Sequence, residues 1–178
     1  MTQHHFSKNK NYNSKIVIID GLSGCGKILV AELLKAIKNT EIVKLETTFD
    51  HIPILFSYEK IEKYAAQSIL KTIFDKLIYY NNIGREINLR KNDLTFSLNH
   101  PKKFSYINSL LKKPNSDKII NKKLSPKQIF PFMVHMSTFN NTLLEETFNN
   151  LNIIYILRDP LFILETYSSY LDRINSDP

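Results

Sequence analysis

Short apolar runs that alternate with amphipathic stretches predict an α/β protein, a three-layer fold in which helices flank a central, mainly parallel sheet. Two observations carry this. Runs of strand length occur at Lys15 to Asp20, Glu41 to Leu45, Gln128 to Val134 and Ile153 to Leu157, and the segments between them repeat apolar residues every three or four positions. The first run passes straight into a glycine-rich loop and then a helical pattern, the order by which a parallel sheet begins a crossover.

In chain order, Met1 to Ser14 is polar and basic with no apolar segment, so it is expected to be a disordered lead-in rather than a signal peptide. Ile28 to Lys35 repeats its apolar residues at helical spacing, and that helix should end near Asn39. From Ile54 to Tyr80, the positions Ile61, Tyr64, Ala65, Ile69, Ile73, Phe74 and Leu77 predict one long amphipathic helix or two joined ones. Asn81 to His100 reads as loop. A helix over Phe104 to Lys112 is broken by Lys113-Pro114-Asn115-Ser116. Leu143 to Phe148 is helical, and Asp159-Pro160 opens a last helix over Leu161 to Leu171. The expectation is a single domain over 15–178, either compact or truncated at its C-terminus, since no further strand follows to cover a sheet edge.

A length of 178 residues, 43% hydrophobic and 23% charged, suits one sizeable core. No apolar run approaches the roughly 20 residues that span a bilayer, so a cytoplasmic location is expected. The single cysteine, Cys25, excludes an internal disulfide and a cysteine-cluster metal site. A net charge of +7 implies attraction to anions. Much of it lies between Pro101 and Lys127, where Lys102, Lys103, Lys112, Lys113, Lys118, Lys122, Lys123 and Lys127 face only Asp117. Arginine and paired aromatic platforms are scarce there, so a solvated linker is expected and no nucleic-acid partner.

The chemistry starts at Gly21-Leu22-Ser23-Gly24-Cys25-Gly26-Lys27-Ile28. Glycines at these spacings let successive amides turn toward phosphate oxygens at a helix N-terminus, and Lys27 adds a point charge. Cys25 suits a tight turn, in a loop that works through its backbone. The last position is anomalous. A Ser or Thr there holds magnesium in nucleotide triphosphatases and most kinases, and Ile28 has no oxygen to offer. Either a metal is held elsewhere, or the transferred group needs none. A sulfuryl group bears one negative charge, which amides and a lysine can balance.

Ser125-Pro126-Lys127 leads through an apolar strand to His135, and Ile153 to Pro160 reads Ile-Ile-Tyr-Ile-Leu-Arg-Asp-Pro, with Thr166 eight residues after Arg158. With the loop, these elements resemble the sulfotransferase family of phosphate-loop proteins, whose pattern is a strand ending in a catalytic histidine, then a strand ending in Arg-Asn-Pro or Arg-Asp-Pro and a hydroxyl residue eight positions on. The resemblance covers the loop and roughly 125–170. It implies that Arg158 and Thr166 bind the 3′-phosphate of 3′-phosphoadenosine 5′-phosphosulfate, that residues 21–28 cradle its 5′-phosphosulfate, and that His135, with Lys27, serves transfer to a hydroxyl or amine acceptor. An imidazole titrates near neutrality, which suits a general base. The loop departs from the family at Lys27 and Ile28, where hydroxyl residues are common.

Arg158 has alternatives, among them a salt bridge with Asp159. Arg85, Glu86, Arg90 and Asp93 are either ligands of an anionic acceptor such as a glycan or a mutually paired, solvated loop. Asp50 and His51 are either a substrate-facing pair or a polar turn before Pro53. Two further functions remain open: an ATP-dependent small-molecule kinase whose magnesium is held by Asp159 or Asp20, and a nucleotide-binding protein without catalysis.

Overall fold

The computed structural model describes residues 14–111 and 127–176; the lead-in over 1–13 and the lysine-rich stretch over 112–126 lie outside them. Four strands, β1 (Lys15–Asp20), β2 (Lys44–Leu45), β3 (Ile129–Met133) and β4 (Leu151–Tyr155), form one sheet in the order β2-β3-β1-β4. Every pairing is parallel. The helices are α1 (Lys27–Leu34), α2 (Thr48–Ser57), α3 (Lys63–Ile83), α4 (Lys103–Leu111), α5 (Asn141–Thr147) and α6 (Pro160–Ser176), with short 3₁₀ turns at Ser97–Asn99 and Ser137–Asn140. This is the α/β architecture read from the strand and helix patterns.

Side-chain alternation along β1 divides the core. Ile16 and Ile18 point to one face, where Phe130 and Phe132 of β3 meet α2, α3 and α5 through Phe49, Leu70, Phe74, Leu144 and Phe148. The rings interlock, with Phe49 and Phe132 centroids 4.8 Å apart and Phe74 and Phe148 5.3 Å apart. Each such buried phenylalanine contributes about 2 kcal/mol of burial. Val17 and Ile19 point to the other face and pack with Ala31 and Leu34 of α1, together with Val43 and Met133.

Several boundaries differ from expectation: α1 ends at Leu34 rather than near Asn39, and α6 runs on to Ser176. The second strand shrinks to Lys44–Leu45, preceded by an isolated bridge from Thr40 to Ile129. Ile129 donates to Asn39 and accepts from Glu41, so alternate residues of β3 face β2. Pro131 falls on that side and has no N–H to give, which leaves the intervening residues unpaired. The long helical stretch is two helices, and the first begins at Thr48, placing Asp50 and His51 inside a helix rather than in a turn. The fourth strand starts two residues earlier than read, at Leu151.

Candidate functional site

A parallel sheet collects its loops at the carboxyl ends of its strands. Gly21 follows β1, His135 follows β3 and Arg158 follows β4. Because Ile19 pairs with Met133, Gly21 and His135 leave adjacent strands at the same height.

The loop is shaped by glycine. Gly21 has φ 143°, and a Cβ there would lie 2.6 Å from the Ile156 carbonyl oxygen and 2.8 Å from Cys25 Sγ, so no side chain fits. Gly24 has φ 84° and exposes its backbone at the crest with Leu22 and Ser23. Cys25 is buried below them and packs on Gly21. Gly26 caps α1, and Ile28 and Leu29 point outward from the helix, Ile28 being 59% exposed.

Lys27 is buried, and its Nζ donates to the Gly21 carbonyl and, at 3.3 Å, to the Leu22 carbonyl. Burial pushes its pKa down, while Cys25, Asp20 and Asp50 pull it back up. Among the described residues no carboxylate lies within ion-pair distance of it. Asp20 is fully buried and accepts three hydrogen bonds. Its Oδ1 accepts from the Gly21 amide at 2.6 Å, and its Oδ2 accepts from Ser137 Oγ at 2.7 Å and the Thr138 amide at 3.0 Å. It ties the loop to the segment after β3.

Arg158 and Thr166 both reach the loop crest. Arg158 Nη1 donates to the Gly24 carbonyl at 3.0 Å, and its guanidinium lies over the Phe162 ring at 5.4 Å. Thr166 sets its methyl against Gly24, 3.3 Å from where a Cβ would be, while its hydroxyl donates to the Phe162 carbonyl. Asp159 does not pair with Arg158; its Oδ1 accepts the Leu161 amide and caps α6. Beside Arg158, a mostly apolar cleft of about 300 Å³ lies among Leu22, Tyr155, Ile156, Leu157, Ile163 and Leu164.

At the neighbouring strand end, His135 is about half exposed. The Asp50 carboxylate lies under it. Oδ1 accepts the amides of His135 at 2.8 Å and Met136 at 2.7 Å, and Oδ2 stands 3.8 Å from His135 Nδ1. Asp50 and His51, expected to face substrate together, part company: successive helical residues diverge by about 100°, so Asp50 is buried and His51 exposed. In the middle loop the Asp93 amide donates to the Arg90 carbonyl at 3.1 Å, and the charged side chains find partners other than one another. Glu86 pairs with Lys44 at 3.5 Å, Arg85 lies over Tyr80, Asp93 accepts from Asn88, and Arg90 bonds Asn88 through its amide. These partners are not residues of the glycine loop.

Sequence reasoning missed the bonds of Asp20 to Ser137 and Thr138 and of Asp50 to His135. An acidic residue closing an apolar strand was the one available signal for Asp20. The arrangement offers an exposed amide-rich crest, a cation held by carbonyls, a guanidinium fork and a half-exposed imidazole on one rim. Comparison of the chain with protein-family models, with curated proteins and with solved structures finds no match.

Proposed function

We propose that the chain transfers a sulfuryl group from 3′-phosphoadenosine 5′-phosphosulfate to a hydroxyl or amine acceptor of a small molecule or carbohydrate. The observation that carries this is the convergence of Arg158 and Thr166, from the fourth strand end, on Gly24 of the glycine loop. In this reading the loop amides and Lys27 hold the 5′-phosphosulfate, and Lys27 exchanges the carbonyls of Gly21 and Leu22 for anionic oxygens. Arg158 supplies a planar fork for the 3′-phosphate, and Thr166 joins it by turning its hydroxyl away from Phe162. The cleft beside Leu22 and Ile163 gives a base an apolar wall.

His135 Nε2 takes the proton from the acceptor as its oxygen or nitrogen bonds to sulfur. The sulfur–oxygen bond to the 5′-phosphate breaks, and adenosine 3′,5′-bisphosphate leaves. Ile28, turned to solvent, adds no oxygen ligand for a metal, and Asp20 is buried and accepts three hydrogen bonds.

The test is calorimetric binding of adenosine 3′,5′-bisphosphate and of ATP, each with and without magnesium. Tight, metal-independent binding of the bisphosphate, weakened at least tenfold by Arg158→Ala, is expected. Binding of magnesium-ATP alone would assign the site to a kinase, with Lys27 on the β- and γ-phosphates. Binding of neither would overturn nucleotide-dependent transfer.

A further inference from the structure

Asp50 belongs to α2, yet its carboxylate is aimed at the peptide that follows β3. One oxygen, Oδ1, clamps two successive amides and so fixes where His135 leaves the strand. The other, Oδ2, has no hydrogen-bond donor among the described residues and faces His135 Nδ1 at 3.8 Å. A side-chain adjustment of about 1 Å brings that pair to hydrogen-bonding distance. A buried carboxylate whose spare oxygen faces one imidazole nitrogen favours a proton on that nitrogen. The lone pair then lies on Nε2, on the exposed side of the ring.

We propose that Asp50 is a positioning residue that holds His135 as the Nδ1–H tautomer, with Nε2 free to accept a proton. The proposal rests on the assignment of His135 as the base but not on the identity of the group transferred. The same carboxylate also acts through its charge on Lys27.

An amide in place of the carboxylate separates positioning from structure. In Asp50→Asn the Oδ1 atom still accepts both backbone amides, so the clamp survives. The NH₂ group now faces Nδ1 and donates to it, which favours the opposite tautomer. Long-range ¹H–¹⁵N correlation NMR on the ligand-free full chain reads the tautomer at about pH 8.5, well above the ordinary histidine value of about 6.5. The His135 resonances are identified among those of the five histidines by their loss in His135→Gln. The expected result is an unprotonated Nε2 in the wild type and an unprotonated Nδ1 in Asp50→Asn. An unprotonated Nδ1 in the wild type, or a tautomer unchanged by the substitution, would overturn the proposal.

Sulfuryl transfer from phosphosulfate supplies the second readout: kcat should fall roughly 10- to 100-fold in Asp50→Asn with the KM for phosphosulfate held. A matching loss through KM alone would mean that Asp50 only shapes the loop. If the tautomer inverts but no phosphosulfate is turned over by the wild type, the positioning stands and the donor assignment fails. Should Asp50→Asn not fold, the wild-type tautomer alone decides.

Discussion

The two ends of the sheet each bury a charge and treat it in opposite ways. At the amino end, Glu41 accepts four hydrogen bonds: Lys102 Nζ at 2.7 Å and Gln128 Nε2 at 3.3 Å on one oxygen, Asn81 Nδ2 at 3.0 Å and Tyr106 Oη at 2.9 Å on the other. Burial by itself would raise its pKa, but the charge and bond of Lys102, with Asn81 and Tyr106, hold the carboxyl below the ordinary value. At the carboxyl end, Lys27 is also buried but rests on two carbonyls, with no carboxylate at ion-pair distance among the described residues. A saturated charge is a structural joint that links the segments just before β2 and β3 to α3 and α4. An incompletely matched one, under an exposed crest of amides, is where an anion gains most by arriving.

The sharpest way to break that contrast is Gly21→Ala. The new methyl meets the Ile156 carbonyl oxygen and Cys25 Sγ, so the loop must move; loss of bisphosphate binding and about 3 kcal/mol of stability are expected by calorimetry and urea denaturation. Next is Glu41→Gln, which weakens the amino-end joint. Lys102 is partly solvated, so roughly 2 kcal/mol should be lost on denaturation, with anion binding at the far end unchanged. A parallel loss of binding would mean that the two ends are not independent. Lys27→Met should do the reverse, lowering bisphosphate affinity at least tenfold while changing stability by less than about 1 kcal/mol.

The most gradual effect is in pH. Burial lowers the His100 pKa from 6.5 to about 4, so the unfolded chain binds a proton that the folded chain refuses. Stability is therefore full above pH 6.5 and is lost as pH falls toward about 4, by at most about 1.4 kcal/mol per pH unit. Glu41, also depressed, keeps its contribution until pH falls below 4.5. His100→Asn should flatten the melting temperature between pH 6.5 and about 4 and leave the acid limb below it.

Local chemistry was legible and distant partnership was not. The β1 pattern, the loop glycines and the spacing from Arg158 to Thr166 need only neighbours along the chain to be read. That Arg158 bonds Gly24, 134 residues earlier, follows from β4 pairing beside β1, which no periodicity encodes. For Asp50 the sequence leaves open a substrate-facing pair with His51 or a polar turn before Pro53; Pro53 sits within α2, and only the fold brings the carboxylate to His135. The effect of Pro131 on β2 depends on which neighbour its missing donor would have faced.

The strand order also sets when the loop takes shape. The central strand β1 pairs only with β3 and β4, and the carboxylate that holds the Gly21 amide needs a hydroxyl 117 residues downstream. Loop closure over such spans is slow, and local helices precede it. Ribosomal synthesis therefore delivers the glycine sequence early and its geometry late: a nascent chain that has not reached Ser137 carries the motif without the cradle. Exchange protection of the Gly21 amide should appear only with completion of the sheet, which makes that one proton a clock for folding.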